Sequence, residues 1–367
     1  MVNVCTGNGF FPSSTDNSTD GIPGSTSSFI PAYTDNVLLL TDDQRRWAVA
    51  VLQNGGYVIA AFAIPLTVCN MMVFLRKDMR SATSMYIVAL SVSQIIYTLG
   101  IMVKDLCERI LDDPASSLAF QLYDLYFGVY VIIVAKRGAY VLTCLLSTER
   151  LYAVLRPLHI KDFFLSRFPV SSIIGVYTVT AIWHVYILTQ TKVIGAEDSH
   201  TGKMLYKRAQ TDLYLKHKEI NDVFGLAAKI VLTFVSLALQ IVLNLLTVWA
   251  LRRHNQSSQS MQTPQVEDRR GQKERQMTVT MLAATVSYVI MSLPAAFHNL
   301  CYTIFFPDYW YGGKYSNLFQ VMIAFAFDIT TLSSATDFLC FVTLSSNYRK
   351  SLRKLFQGVK LRKLHNK

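Results

Sequence analysis

The segment TCLLSTERLYAVLRPL, Thr143–Leu158, ends a long apolar stretch with charged residues. Glu149 and Arg150 stand side by side, and Arg156 follows within two helical turns. The largely apolar run Phe120–Thr148 exceeds the roughly 20 residues that a helix needs to cross a bilayer. The segment therefore predicts a transmembrane helix that ends at a polar surface.

Six further runs of this kind lie on either side of that segment. Their bounds are Ala48–Leu75, Ala82–Val103, Phe168–Gln190, Val223–Leu251, Met277–Phe305 and Leu318–Thr343. Apolar residues make up 51% of the chain and charged residues only 16%, below the roughly 25% charged residues of soluble domains. A soluble helical protein would show amphipathic stripes with a charged face, which these runs lack. The expected fold is an all-α membrane protein, a bundle of seven transmembrane helices.

Basic residues are concentrated in alternate connections between the runs. They occupy the first, third and fifth connections, and the tail after Thr343 has eight Lys or Arg residues and no acid. Residues 1–47 carry five Asp against two Arg, whereas the fourth connection is an exception with a slight basic excess. Because cytoplasmic loops are enriched in Lys and Arg, we expect a multi-pass plasma-membrane protein with its N-terminus outside and its C-terminus in the cytosol. The net charge of +11 is then explained by anionic membrane lipid, and no nucleic-acid motif accompanies it.

Three regions follow from this topology. Residues 1–47 form an extracellular tail, expected to be mostly disordered, with a glycosylation sequon at Asn17. Residues 48–343 form the seven-helix domain, and residues 344–367 form a basic cytoplasmic tail. Among six cysteines, Cys107 and Cys301 lie near the outer ends of the second and sixth runs. A disulfide between them is one open alternative, because sequence alone does not fix connectivity.

Short motifs follow one another along the runs. They are Asn70 in CNMMVFL, Tyr86–Gln94 (YIVALSVSQ), Glu149–Leu151 (ERL) with Arg156–Leu158 (RPL), Pro294 in MSLP and Ser333–Phe341 (SSATDFLCF). In their order, spacing and sidedness they resemble the rhodopsin-like (class A) family of G-protein-coupled receptors over Ala48 to Gln357, most of all its divergent invertebrate peptide-type or chemosensory branch. The stretch Asn347–Phe356, NYRKSLRKLF, is similar to the family's short amphipathic eighth helix.

Several positions depart from the family pattern. The aspartate of the second run is Gln94 and the asparagine of the seventh is Asp337, so the two are exchanged and one carboxylate still lies inside the bundle. The family's cysteine at the top of the third run would fall near Leu125, and residues 190–222 contain no cysteine. The usual outer disulfide is therefore absent, and the outer loop must be held in another way.

The resemblance implies a receptor that binds an extracellular ligand and activates heterotrimeric G proteins. It implies that Glu149, Arg150 and Leu151 form the switch, and that Glu274, at the inner end of the sixth run, holds Arg150 in the inactive state. An unpartnered guanidinium there would cost several kcal/mol, and outward movement of the sixth helix would free Arg150 for the G protein. The alternative is that Glu149 and Arg150 only mark an interfacial helix end.

Ionisable residues inside the spans are candidates for ligand binding. Those expected in the outer half of the membrane are Lys104, Asp105, Lys136, Lys229, His298 and Asp328. We expect a polar pocket with Lys136 and Asp328 as principal charges, or, as an equal alternative, neutralisation of one by the other. The excess of bases favours a ligand with a carboxylate, either a small acidic chemosensory compound or a peptide. Arg137 is expected to face another helix or a polar lipid group, and His184 to form an interhelical hydrogen bond rather than a ligand contact.

The remaining motifs predict a polar network inside the bundle and argue against several other functions. By resemblance, Asn70, Gln94 and Asp337 form an internal polar network. No lysine lies between Leu318 and Thr343, which argues against a retinal protein. The sequence carries no His-Glu-x-x-His motif or suitably placed acid pair, so neither an enzyme nor a metal or other cofactor is expected. A ligand-gated channel or transporter with seven helices is the remaining alternative.

Overall fold

The computed structural model is a helical bundle. It describes residues 40–111, 116–156, 159–197, 202–259, 267–305, 309 and 314–365. Within these ranges, seven helices are long and apolar enough to cross a membrane, as the sequence predicted. The N-terminal tail with its sequon at Asn17 lies outside the described residues, and so does the side chain of Glu274.

The membrane helices are named α1 to α7, and the helix after them α8. Their bounds are Asp42–Phe74 (α1), Ala82–Ile110 (α2), Leu118–Tyr123 with Ile132–Leu155 (α3), Pro169–Gln190 (α4), Lys218–Lys229 with Ser236–Gln259 (α5), Glu267–Leu300 (α6), Ser316–Leu344 (α7) and Ser346–His365 (α8). π-Helical stretches, Asp124–Val131, Ile230–Val235 and Cys301–Phe305, continue α3, α5 and α6. Several helices extend beyond the expected spans, and α1 begins at Asp42 rather than Ala48.

Local side chains set where the first two membrane helices begin. Thr41 Oγ1 accepts a hydrogen bond from the Gln44 amide at 3.3 Å, and Gln44 Oε1 accepts one from the Thr41 amide at 3.0 Å. Asp42 and Asp43 follow in the first turn, where negative charge complements the helix dipole. Ser81 Oγ caps α2 in the same way. These caps satisfy amide groups that the helices themselves leave free.

The outer surface of α4 is typical of contact with lipid. Its large exposed side chains are Val170, Ile174, Val179, Ile182 and Val185. The buried residues of this helix instead include Thr180 and His184. Polar groups turned inward and apolar groups turned outward fit a helix that faces lipid, because hydrocarbon offers no hydrogen-bond partners. The chain is a multi-pass membrane protein.

An apolar core fills the end of the bundle that contains Arg150, which we call the Arg150 end. Phe74, Phe341 and Tyr348 form its aromatic centre, with ring centroids 4.9 Å apart for Phe74 and Phe341 and 5.5 Å apart for Phe341 and Tyr348. Tyr348 belongs to α8 and is completely buried. Burial of this ring attaches α8 to α1 and α7.

A polar contact also attaches α8 to the α1–α2 connection. Ser351 Oγ donates to Asp78 Oδ2 at 2.9 Å, and Lys354 Nζ lies 3.6 Å from the same oxygen. The hydrogen bonds from Arg76 and Ser351 hold the pKa of Asp78 below its usual value. A carboxylate with a lowered pKa stabilises the folded state above its unfolded pKa, and this contribution is lost as the pH falls through the folded pKa.

A β-hairpin that the sequence did not predict lies at the other end of the bundle, which we call the hairpin end. Strand β1, Thr191–Glu197, pairs antiparallel with β2, Met204–Gln210, and the bend includes Gly202 at φ +65°. Most side chains of β1 are exposed. With so little apolar burial, the strands carry only a weak alternating pattern, so the sequence suggested no more than a slightly basic loop.

A buried group of charges holds this hairpin to the bundle. Lys104 Nζ of α2 lies 2.9 Å from Asp124 Oδ1 of α3, and Arg208 of β2 donates to Asp124 Oδ2. The three side chains are only 2%, 5% and 6% exposed, respectively. Asp124 is adjacent to Leu125, where the resembled family would place a disulfide-forming cysteine. An ionic attachment therefore occupies the position of the missing covalent one.

The disulfide left open between Cys107 and Cys301 is not formed. Both are free thiols in the described part of the chain. Cys301 is buried in an aromatic cluster with Tyr309 and Phe319, whereas Cys107 lies on α2. A disulfide needs Cα atoms less than about 7 Å apart, and these cysteines belong to different packing neighbourhoods.

Replacing Arg208 with Met should destabilise the hairpin end. The change leaves Asp124 buried with one of its two cations, and breaking a buried ion pair typically costs about 3–5 kcal/mol. We expect a fall of several degrees in the Tm of the purified receptor. The control is Lys192→Met in β1, which removes an exposed pair with Asp212 at 3.3 Å and should change Tm little. Equal Tm values for both variants would contradict the ionic attachment.

Candidate functional site

The guanidinium of Arg150, near the end of α3, is bound inside the bundle. Its Nη2 donates to Glu149 Oε1 at 2.7 Å, and its Nε donates to Glu149 Oε2 at 2.9 Å. Thr83, at the start of α2, donates its hydroxyl to both Glu149 oxygens at 3.1 Å and accepts a hydrogen bond from Arg150 Nη2. Glu149 is 2% exposed and the Arg150 side chain 13%. The two charges therefore neutralise each other between α2 and α3, in what we call the Arg150 cluster.

The other predicted switch residues surround this cluster or lie outside the described side chains. Leu151 follows Arg150 in α3 and is partly buried. Glu274 lies in α6, but its side chain is outside the described set, so the contact expected between Arg150 and Glu274 stays a prediction. The sequence analysis does not identify Thr83, although its position at the start of an apolar run is a signal that could point to it.

A second polar cluster lies one helical turn from Arg150. Asn244 Oδ1 of α5 accepts hydrogen bonds from Thr285 of α6 at 3.0 Å and from Ser147 of α3 at 3.4 Å. All three side chains are buried. Sequence analysis missed this cluster, because an isolated asparagine in an apolar run does not reveal its partners. The cluster ties α6 to α3 beside the Arg150 cluster.

The structure brings together two of the three residues of the expected internal network. Gln94 Nε2 of α2 donates to Asp337 Oδ2 of α7 at 2.9 Å, beside a cavity of about 30 Å³ that is large enough for a water molecule. Asn70 is 2% exposed, but its Oδ1 has no hydrogen-bond partner among the described residues. The exchanged amide and carboxylate thus still pair between α2 and α7, whereas Asn70 stands apart.

Lys136 and Asp328 do not neutralise each other. Lys136 Nζ donates to Tyr97 Oη at 3.4 Å and lies 5.0 Å and 5.6 Å from the ring centroids of Tyr97 and Phe327. Asp328 instead faces α1, where a Cβ added to Gly56 would lie 2.5 Å from its Oδ1. No ion pair joins Lys136 to Asp328 within the described ranges. Lys136 therefore packs against aromatic rings, whereas Asp328 lies beside α1.

The remaining predicted bases also have partners inside the protein. Lys104 binds Asp124, as described above, and also lies 3.8 Å from Glu108. Lys229 Nζ lies 4.6 Å from the ring centroid of Tyr302. His298 Nδ1 is 3.0 Å from Tyr309 Oη, within the aromatic cluster that surrounds Cys301. These bases do not converge on one pocket.

Arg137 and His184 form the interhelical contact expected of them. Arg137 Nη1 lies 2.7 Å from His184 Nε2, and His184 Nδ1 lies 2.6 Å from the carbonyl oxygen of Thr180. With a guanidinium donor on one side and a carbonyl acceptor on the other, the imidazole fits the neutral tautomer with its proton on Nδ1. The contact joins α3 to α4.

A larger cavity lies between α1, α2 and α7. It has a volume of about 110 Å³ and contains two of the predicted ligand-binding residues, Asp105 and Asp328. Other lining residues are Gln53, Gly56, Tyr57, Thr98, Gln320, Phe327 and Thr331. The described residues include no cluster of three or more His, Cys, Asp or Glu side chains that could hold a metal ion. The lining thus includes two acids, Asp105 and Asp328, and two aromatic side chains, Tyr57 and Phe327.

Comparison with known proteins gives a consistent result. A family model described as serpentine type 7TM GPCR chemoreceptor Srw matches residues 54–358. A Caenorhabditis elegans protein described as probable G-protein coupled receptor B0563.6 is 22% identical over 304 residues, which cover 81% of this chain and 67% of that protein. Both descriptions are of receptors rather than enzymes, and neither favours a channel or transporter.

Replacing Gln94 with Leu should destabilise the membrane bundle. The change leaves the buried Asp337 carboxyl without its donor, at a cost of about 1–3 kcal/mol. The double change Gln94→Leu with Asp337→Leu removes both polar groups and should recover part of the lost stability. Thermal unfolding of the purified variants in detergent tests this expectation, and a double variant no more stable than Gln94→Leu would contradict it.

Proposed function

We propose, because this chain belongs to the Srw family of serpentine seven-transmembrane G-protein-coupled chemoreceptors, that its Arg150 cluster is the resting lock of the receptor. The chain is a G-protein-coupled receptor, a transducer and not an enzyme. Its partners are an extracellular ligand and a G protein.

One observation carries the proposal of a lock. Among the described residues, the hydrogen bonds of the Arg150 guanidinium are with Glu149 and Thr83, inside the bundle. A buried arginine that serves only structure needs such partners permanently, whereas a switch needs partners that it can exchange for others. The resemblance of Glu149–Leu151 to the rhodopsin-like switch supports the second role, and the position near the end of α3 makes an outside partner accessible.

Release of the lock requires movement of α6 or α2 relative to α3. Outward movement of α6 would break the hydrogen bond between Asn244 and Thr285, which joins α5 to α6. Movement of α2 would withdraw Thr83 from Glu149 and Arg150. Movement of α2 would loosen the Arg150 cluster directly, and movement of α6 would open the space beside it, so that the guanidinium could reach a heterotrimeric G protein. A ligand drives the change only to the extent that it binds the open form more tightly.

The direction of the signal follows from charge. The α1–α2 connection and the tail after α7 are rich in Lys and Arg, and both lie at the Arg150 end. We therefore propose that the Arg150 end faces the cytosol of the plasma membrane and that the hairpin end faces outside. Ligand would then enter from the hairpin end, where Asp105 and Asp328 line the larger cavity.

Weakening the lock should raise signalling without ligand. Glu149→Gln removes the counterion of Arg150, and Thr83→Val removes only hydrogen bonds. If the carboxylate favours the closed form by about 1.4 kcal/mol, Glu149→Gln raises the open fraction about tenfold. Thr83→Val should give a smaller rise, and Arg150→Ala should abolish activation. The measurement is binding of a non-hydrolysable GTP analogue to a panel of Gα subunits, at equal surface expression.

The matched control is Asp162→Asn. Asp162 is an acid at the same end of the bundle. Its side chain is 81% exposed, and it lies 3.9 Å from His159. It should leave basal activity unchanged. Basal activity that stays at the wild-type level in Glu149→Gln and Thr83→Val, with normal surface expression, would contradict the lock.

A further inference from the structure

We propose that the cavity between α1, α2 and α7 binds an organic ammonium group between Asp105 and Asp328. The group would be carried by a small amine or by a peptide with a free N-terminus. This inference rests on the proposed function, since it names the ligand class for the outer cavity of the receptor. It differs from the acidic ligand that the excess of bases favoured.

Two carboxylates line this cavity. Asp105 comes from α2 and Asp328 from α7, and both line the same cavity. Neither has a hydrogen bond or an ion pair within the described part of the chain. Two carboxylates that share a cavity in a membrane bundle repel each other and lack the water that would solvate them. A cation between them would remove both costs.

The cations near the cavity contact other groups of the protein. Lys104, beside Asp105, binds Asp124. Arg109 donates to Asn54 Oδ1 at 3.2 Å and lies 4.8 Å from the ring centroid of Tyr57. Lys136 lies against the rings of Tyr97 and Phe327. Among the described residues, Asp105 and Asp328 form no ion pair with these cations.

Two hydroxyl groups of the cavity give a separate observation that does not involve the acids. Thr98 and Thr331 also line the cavity and are 4% and 7% exposed. In the ranges that the structure describes, neither hydroxyl has a hydrogen-bond partner. Hydroxyl groups on buried residues usually have a partner, so two unpaired hydroxyls on buried residues of the same cavity point to a polar group that arrives from outside. An ammonium group has three donors and can reach hydroxyl and carboxylate oxygens together.

The apolar lining of the cavity indicates what the ammonium group is attached to. The cavity walls include the rings of Tyr57 and Phe327 and several aliphatic side chains. Aromatic faces attract cations and also pack against carbon, which favours an organic ammonium over a hydrated metal ion. A cavity of 110 Å³ is somewhat smaller than the roughly 150 Å³ that accommodates benzene in a protein interior. It therefore fits the charged head of a ligand whose remainder extends toward the hairpin end.

Purified full-length receptor tests the inference by thermal shift. The probes are 2-phenylethylamine, butylamine and a short peptide with a free N-terminus. Their counterparts are 2-phenylethanol, butanol and the same peptide acetylated. We expect at least one amine to raise Tm by several degrees in a concentration-dependent manner, and its uncharged counterpart to give no shift. Response to the amines alone identifies a small-amine receptor, and response to the free peptide alone identifies a peptide receptor.

Two variants locate the binding site. Asp328→Asn should weaken binding of the active probe at least tenfold, and Gly56→Ala should do the same by placing a methyl group against Asp328 Oδ1. The matched control, Asp212→Asn, changes an acid at the hairpin end whose side chain is 94% exposed, and should leave binding unchanged. Unaltered binding in both Asp328→Asn and Gly56→Ala would overturn the site.

The comparison of charged with uncharged probes needs no variant. If Asp328→Asn and Gly56→Ala do not fold, equal shifts from amines and their neutral counterparts on the unchanged protein overturn the inference, and no shift from any amine does the same. The proposed function is judged separately, by basal G-protein activation in Glu149→Gln. A raised basal activity without amine binding would leave the lock standing and remove only the ammonium site.

Discussion

The bundle depends on one constraint, that hydrocarbon offers charges no solvation, so each charged group needs a partner within the protein. The Arg150 cluster satisfies a guanidinium with a carboxylate and a hydroxyl from a neighbouring helix. Arg137 uses His184, and Lys136 uses aromatic faces. These contacts join α3 to α2 through Thr83 and Tyr97, to α4 through His184 and to α7 through Phe327. Among the described residues, Asp105 and Asp328 line a cavity without a hydrogen-bond or ion-pair partner, which is why they point to a ligand.

The hairpin end illustrates how a loop can be attached without a disulfide. Lys104, Asp124 and Arg208 come from α2, α3 and β2, and their side chains meet in a site that is almost fully buried. A buried ionic attachment depends on the low dielectric around it, and it gives way when one partner is removed. A covalent attachment depends instead on the redox state of its surroundings. The two solutions place the loop over the same helix but make it sensitive to different conditions.

One helix connects the proposed ligand cavity with the proposed lock. α2 contributes Asp105 to the cavity, Gln94 to the contact with Asp337, and Thr83 to the Arg150 cluster. α7 runs beside it with Asp328 in the cavity and Asp337 in the same contact. A helix transmits displacement along its axis because its backbone hydrogen bonds keep it stiff. A change in the distance between α2 and α7 at the cavity would therefore displace Thr83 relative to Arg150.

The sequence by itself determined the seven membrane helices, because a bilayer span needs a long apolar run and each run is a local property. It also marked Glu149 and Arg150, since charges at the end of such a run are conspicuous. It could not pair Lys104 with Asp124 and Arg208, find Thr83 and Asn244, or separate Lys136 from Asp328. Those pairings join residues far apart in the chain, and helix rotation decides which side of each helix they occupy. The hairpin also escaped notice, because strands with little apolar burial leave almost no alternating pattern. Tertiary structure alone decided which charges meet inside the bundle, because a partner across a helix interface is fixed by packing and not by spacing along the chain.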